Sequence, residues 1–367
     1  MSRAAVLTAV GQPLEIWDGV EVDEPRAGEV RVRMAAAGVC HSDLAMRDGV
    51  IPAPLPAVLG HEGAGYVEAV GPGVEGVAAG DLVAISWVAQ CGECFYCLRG
   101  DRHLCEQATV AMASGGLLDG SSRVRAHRSH LYQALGSGTF SEAAVVPAVA
   151  AVPVPGDIDP AVAALLGCGV VTGVGAAINT AAIEPGDTVA VVGCGGVGLN
   201  VVQGARLAGA GRIIAVDVRP DKVALARTLG ATDGVMEGDG AVGAVMDLTG
   251  QKGADVVFEV VGRGSTIEAA LAMARRGGQA VLVGIPAMDV VLEIPAMVGV
   301  VLAAKTITGC WLGSSDIHRE IPRLIDWYRR GELRLDDLVS RRIGLGDVNA
   351  AFAALAAGEV ARSVIVL

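Results

Sequence analysis

The sequence predicts an α/β protein of two domains, a small β-barrel carrying loops and a doubly wound parallel sheet. Three observations carry that expectation. The first 150 residues read mainly as short strands between turn residues. From about Pro185 strands and helices alternate, the pattern of a parallel sheet with crossover helices. A glycine motif, Gly193-Cys-Gly195-Gly-Val-Gly198, stands where the first buried strand of that second region meets its helix.

In chain order, Arg3–Val10, Leu14–Trp17, Val30–Ala35, Ala64–Val70 and Asp81–Ser86 are strand-like, separated by turns such as Gly-Gln-Pro and Gly-Pro-Gly. The uncharged run Ala161–Ile183 is long enough to cross a membrane. Its Ala and Gly content, with Asn179, two Thr and Cys168, instead reads as a buried helix and loop entering the second domain. There, Thr188–Val192, Arg212–Val216, Ala254–Val261 and Gln279–Ile285 are expected strands. Leu199–Ala210, Pro220–Gly230 and Thr266–Arg275 are the helices between them. A helix over Ile321–Arg330 and a segment Ser363–Val366 close the chain.

With 367 residues, 52% apolar and 19% charged, the chain suffices for two globular domains. A net charge of −12 disfavours nucleic acid and anionic membranes as partners. The opening Met-Ser-Arg is no signal peptide, so a cytoplasmic location is expected, where thiols stay reduced and serve metals.

Four of the eight cysteines, Cys91, Cys94, Cys97 and Cys105, follow C-x2-C-x2-C-x7-C spacing. Short loops of this kind converge four thiolates on one zinc and leave no position open for substrate. The alternatives are buried free thiols or two disulfides. Of the rest, Cys194 lies inside the glycine loop and Cys310 in a strand-like run, both expected as packing residues. Cys40, in Gly-Val-Cys-His-Ser-Asp, and Cys168, in Leu-Leu-Gly-Cys-Gly, flank Gly60-His61-Glu62. Two Cys and one His make a zinc site with its fourth position open, though from spacing alone a chance triple is the alternative.

In the glycine motif, Gly193 permits a tight turn, Gly195 lets the backbone approach a pyrophosphate, and Gly198 allows close helix–strand packing. Asp217 ends the next strand, where a carboxylate binds a ribose 2′-OH and repels a 2′-phosphate. NAD is therefore expected over NADP, with Arg219 nearby pulling the other way. Gly196, Val197, Lys222, Val260, Val283 and Ile285 are further candidates for cofactor contact.

The motifs GVCHSD, GHEGAG, CGECFYC…C, GCGVVTG, GCGGVG and the terminal GEVARSVIVL together resemble those of zinc-dependent medium-chain alcohol dehydrogenases over essentially the full length. The resemblance implies a GroES-like catalytic domain over residues 1–169 and 311–367, with the cysteine lobe at 91–105, and a Rossmann domain over 170–310. It also implies two zinc ions per chain, the catalytic one in the cleft between the domains. Cys40, His61 and Cys168 become the catalytic zinc ligands, Asp43 the partner orienting His61, and Glu62 a carboxylate beside the metal. Ser42 becomes the hydroxyl that hydrogen-bonds the alcohol oxygen and receives its proton, and His41 and Arg362 contact the cofactor pyrophosphate. In the implied reaction zinc acts as a Lewis acid on the alcohol oxygen and hydride passes to the nicotinamide.

Two positions depart from the family pattern. Ala45 stands where many members end their proton relay with a His, and Thr109 where glutathione-dependent formaldehyde dehydrogenases carry an Arg for an anionic substrate. GCGVVTGVGAAINT and RSVIVL also resemble the mycothiol-dependent branch, whereas the longer stretch Gly115–Ser141 is more like general alcohol dehydrogenases. Arg123, Arg125, Arg128, His127 and His130 on that stretch form a basic patch, either a recruiter of anionic substrate or a solvated loop. By register Trp87, Ile51, Val110, Ile285 and Trp311 line the substrate pocket, the aromatic at 87 favouring primary alcohols. The leading expectation is an NAD-dependent primary alcohol dehydrogenase. The alternatives are an S-(hydroxymethyl)mycothiol dehydrogenase and a nucleotide-binding protein without catalysis. Val290–Ile294 and Thr306–Trp311 are read as edge strands that pair in a homodimer, with a homotetramer as the larger option.

Overall fold

A computed structural model describes all 367 residues, which form two compact units, Met1–Gly169 with Asp316–Leu367 and Val170–Ser315. The second unit therefore keeps residues 311–315, which the sequence assigns to the first. The reason is local: Asn179 Nδ2 donates to the Gly313 carbonyl at 3.3 Å, and the Thr180 and Ser314 hydroxyls are 2.8 Å apart.

In the first unit, Ser2–Leu7, Glu15–Val22, Val124–Ala126, Ser129–Gln133 and Ala57–Val58 close into a small barrel. A second sheet runs in the order Ala151–Pro153, Leu82–Ile85, Glu62–Val70, Glu29–Val39, Arg362–Val366, Val339–Ile343, and Ala143–Pro147 also pairs with Glu29–Val39. Alternation along Glu29–Val39 sends Val30, Val32 and Met34 into a core with Val67, Val83, Ile85 and Val146. Register decides what meets at the far end of this sheet. Gly38 lies opposite Glu62, and Val39 opposite Ser363. Cys40, Glu62 and Arg362 are thereby brought to one corner from three distant parts of the chain.

The second unit holds six parallel strands in the order Asp233–Met236, Arg212–Asp217, Thr188–Val192, Ala254–Glu259, Ala274–Leu282, Thr306–Gly309. Their apolar faces, including Val192, Ile214, Val216 and Val257, pack beneath Val245 and Met273 from two covering helices. Three details differ from the sequence reading. Strand Asp233–Met236 and helix Ala241–Leu248 were not expected, and Arg275 belongs to the strand Ala274–Leu282 rather than to the preceding helix. Within the single chain Val290–Ile294 pairs with no strand, and Thr306–Gly309 is the edge of the sheet. The apolar run is helical over Pro160–Thr180, and 89% of its apolar window is buried inside the fold, the environment of a core helix rather than of a lipid-facing one.

Candidate functional site

All eight cysteines are free thiols, and six of them fall into two clusters of candidate metal donors. In the first, Cys91, Cys94, Cys97 and Cys105 bring their sulfurs within 4.8 Å of one another. Cys91 Sγ and Cys97 Sγ are 3.9 Å apart, close to the ~3.8 Å edge of a tetrahedron with ~2.3 Å zinc–sulfur bonds. Backbone N–H groups of Cys94 and Cys91 point at Cys91 Sγ and Cys105 Sγ, each at 3.4 Å, as donors toward thiolates do. Four sulfurs fit a closed zinc site.

The second cluster joins Cys40, His61, Glu62 and Cys168, all buried, again with one donor atom of each within 4.8 Å of the others. Cys40 directly follows strand Glu29–Val39 and is the N-cap residue of helix His41–Arg47. One residue organises the rest. Asp43 Oδ2 accepts the Cys40 N–H at 3.1 Å, while its Oδ1 accepts the Gly60 N–H at 3.2 Å and lies 2.9 Å from His61 Nδ1. A proton held on Nδ1 leaves Nε2 as an acceptor, and Nε2 is buried with no hydrogen-bond partner. An orphaned imidazole nitrogen facing two thiols is the donor set of a zinc ion with room for a further ligand. The residues present fit that metal. The Cys168 thiol and the Arg362 guanidinium hold the Cys40 thiol well below its ordinary range, against the effect of burial.

Glu62 and Arg362 complete the corner. Glu62 Oε1 accepts from the Gly169 N–H at 3.2 Å and from Arg362 Nη2 at 3.3 Å, and Arg362 Nη2 is 3.6 Å from Cys40 Sγ. Burial pushes the Glu62 carboxyl up to about 7, with Arg362 opposing it. In this structure Arg362 is thus buried against Cys40 and Glu62, whereas the sequence reading gave it a pyrophosphate role. Ser42 Oγ stands 4.0 Å from Cys40 Sγ.

At the carboxyl ends of the parallel strands, Gly193 has φ +95°, a conformation that favours glycine. A side chain at Gly198 would collide with the Gly193 carbonyl, whereas nothing lies within 4 Å of a Cβ placed on Gly195. That opening leaves room for an anion at the start of helix Gly196–Leu207, where helix N–H groups favour one. Asp217 is buried and accepts the Cys194 N–H at 2.7 Å and the Arg219 N–H at 3.0 Å. The Arg219 guanidinium forks onto Asp221 at 3.0 and 3.1 Å. Glu237, just beyond strand Asp233–Met236, is pushed up by burial and by neighbouring Asp217. Glu237 was missed from sequence because the strand ahead of it was missed.

Of the expected substrate residues, Trp87 meets His61 edge to face with ring centroids 6.4 Å apart. Ile51 packs partly buried on the core around Leu44 and Met46. Val110 is 58% exposed on helix Glu106–Ser114, and Ile285 and Trp311 are exposed on the second unit. His41 is exposed at the start of its helix, while Lys222, Val260 and Val283 are not buried. Of the basic patch, Arg125, His127, Arg128 and His130 are exposed, as in a solvated loop, and Arg123 alone departs from both expectations. Arg123 is buried and paired with Glu29 and Asp119, and Arg125 pairs with Glu21 and Asp23. Burial pushes the Cys194 thiol up, as befits a packing residue.

Residues 26–156 match the family model described as "Alcohol dehydrogenase GroES-like domain", and residues 196–330 the one described as "Zinc-binding dehydrogenase". An "S-(hydroxymethyl)glutathione dehydrogenase" from Synechocystis sp. is 40% identical, over 99% of each chain. An "Alcohol dehydrogenase class-3" from Myxine glutinosa is 39% identical, over 100% of this chain and 97% of its own. Among solved structures, benzyl alcohol dehydrogenase from Acinetobacter calcoaceticus superposes with a TM-score of 0.93 at 30% identity, covering 100% of this chain and 99% of that one.

Proposed function

This chain belongs to the zinc-binding alcohol dehydrogenase family, and from that premise we propose that it oxidises a primary alcohol to the aldehyde with NAD. The main support is the buried Cys40–His61–Cys168 set, with the bare Nε2 of His61 turned toward it and Ser42 alongside. Zinc held there supplies Lewis-acid polarisation of an alcohol oxygen. NAD supplies the acceptor for the hydride leaving the alcohol carbon.

The chain's own residues do the rest. Asp43 fixes the tautomer and ring direction of His61. Ser42 Oγ accepts the hydroxyl proton as it releases its own toward the nicotinamide ribose and water, since Ala45 offers no onward base. Trp87, packed perpendicular to the His61 ring, narrows the space beside the ligand set and would help to exclude water. Arg362 balances the charge of Cys40 and Glu62. In the second unit the open face of Gly195 receives the pyrophosphate and Asp217 the ribose. With Arg219 held by Asp221, and Glu237 beside Asp217, a 2′-phosphate meets negative charge and no free guanidinium fork, which favours NAD.

A second reading, oxidation of an S-hydroxymethyl thiol adduct, draws on the name of the Synechocystis relative. Thr109, and the pairing of Arg123 and Arg125 within the fold, favour the simple alcohol. The chain also assembles at least as a homodimer in this reading. Thr306–Gly309 is a sheet edge, and Met297, Val298, Val301 and Leu302 nearby are exposed.

The test is NADH formation by zinc-assayed protein with aliphatic, aryl and terpenoid primary alcohols, and with formaldehyde plus or minus glutathione or mycothiol. Turnover of alcohols without thiol is expected. Turnover only with thiol and formaldehyde would transfer the enzyme to the second reading. Neither activity, with two zincs bound, would overturn both.

A further inference from the structure

Glu259, the last residue of strand Ala254–Glu259, is wholly buried at the carboxyl end of the parallel sheet. Its Oε1 accepts three hydrogen bonds, from the Val261 N–H at 2.9 Å, the Gly262 N–H at 2.8 Å and the Thr266 hydroxyl at 2.7 Å. Its backbone carbonyl accepts two more, from the Val283 and Gly284 N–H groups at 2.8 and 3.0 Å. Its Oε2 is buried with no partner at all.

The surroundings are built for close approach. A Cβ on Gly284 would lie 2.8 Å from Oε2 and would collide with the Gly262 N–H, and one on Gly262 would press on the Ile285 backbone. On the other side, a Cβ on Gly193 would lie 2.7 Å from Val261 Cγ2. The turn at 260–263 is therefore clasped between the glycine loop and the segment 283–285, with one carboxylate at the junction. Thr266 ties the same carboxylate to the first turn of helix Gly264–Met273. Ligands of open parallel sheets sit outside these strand ends. A buried carboxylate with one oxygen unpaired is unfavourable, and well-packed apolar residues commonly match or exceed buried charges in stability. Packing alone gives no reason for an acid here.

We propose that Glu259 is a positioning residue for the nucleotide: it holds the turn 260–263 in register with the glycine loop and with 283–285, so that the dinucleotide meets a preformed surface. This rests on the nucleotide-binding part of the reading above. Glu259 is not a catalytic residue, and it acts only through the backbone it holds.

The test is a fluorescence titration with NADH of the full-length, zinc-loaded protein, comparing wild type with Glu259→Ala, Glu259→Gln and Thr266→Val. Loss of the carboxylate removes three bonds, so Glu259→Ala is expected to weaken NADH binding about tenfold or more. Glu259→Gln keeps an oxygen acceptor in place and is expected to recover binding to within about threefold. Both should retain two zincs per chain and an unchanged alcohol KM at saturating NAD. A folded Glu259→Ala protein that binds NADH like wild type, whatever its melting temperature, overturns the proposal. If that variant fails to fold, Thr266→Val decides: about threefold weaker binding supports the positioning role, and unchanged binding refutes it. Zinc-loaded wild type that does not bind NADH overturns the nucleotide reading and this inference together; wild-type binding with unaffected variants overturns this inference alone.

Discussion

Replacing Arg123 with methionine should unfold the barrel unit at a markedly lower temperature while leaving substrate recognition untouched. The Arg123 side chain is 0% exposed, its Nε is 2.9 Å from Glu29 Oε2, and its Nη2 reaches Glu29 Oε1 at 2.5 Å and Asp119 Oδ2 at 2.7 Å. The Glu29 side chain is only 9% exposed, so the substitution strands a carboxylate away from water. Removing one partner of a buried pair costs about 3–5 kcal/mol. For a unit of about 220 residues, at roughly 2–4 °C per kcal/mol, that is a fall in Tm of about 6–20 °C. Asp119 is 47% exposed, so Asp119→Asn should cost no more than about 1 kcal/mol. The pair also predicts a pH signature. Burial pushes the Asp119 carboxyl up, but bonds from Arg123 and Ser121 bring it down to about 2. A depressed folded value means the contribution is complete above the unfolded value of about 3.9 and is lost as pH falls through about 2. The stability gap between wild type and Asp119→Asn should therefore close across that window. Calorimetry of the zinc-loaded protein measures the shift, and alcohol KM for Arg123→Met should match wild type. A Tm within 2 °C of wild type, or a raised KM, would refute the assignment of Arg123 as an internal strut.

Asp43→Asn, which disturbs the orientation of His61, should weaken the catalytic zinc by about 10- to 100-fold. Partial chelation followed by metal analysis should then show one zinc per chain, retained by the four-cysteine lobe; equal retention of two would contradict the site. Asp217→Ala removes the ribose acceptor and much of the repulsion toward a 2′-phosphate, so the NADP-to-NAD ratio of kcat/KM should rise at least about tenfold. An unchanged ratio would place cofactor choice elsewhere. Light scattering at micromolar concentration should report a dimer or larger assembly, and substitution of Val298 and Leu302 by Lys should shift it toward monomer; a wild-type monomer would remove the proposed interface.

Local signals made half of the site legible. The glycine motif and the four cysteines are contiguous, and their chemistry follows from spacing because each is one loop. Cys40, His61 and Cys168 are far apart in sequence, and only strand register and the helix beyond it unite them, so spacing could suggest a ligand set but not its geometry. For Arg362, family likeness suggested a cofactor contact, while its position against Cys40 and Glu62 emerges only from the pairing of Arg362–Val366 with Glu29–Val39. Arg123 looked like a surface charge because its partner Glu29 lies 94 residues away. Glu259 carries a readable signal, an acid closing the apolar run Val256–Phe258, but only the fold shows the backbone groups it binds.

The corner built from Cys40, Glu62 and Arg362 has a consequence in time. Arg362 follows Cys40 by 322 residues, and at typical synthesis rates of about 5–20 residues per second it emerges roughly 16–65 s later. For that interval the nascent chain carries a thiol and a carboxylate whose guanidinium does not yet exist. The strand that delivers it, Arg362–Val366, must also be made before it can pair with Glu29–Val39, so the corner cannot close until then.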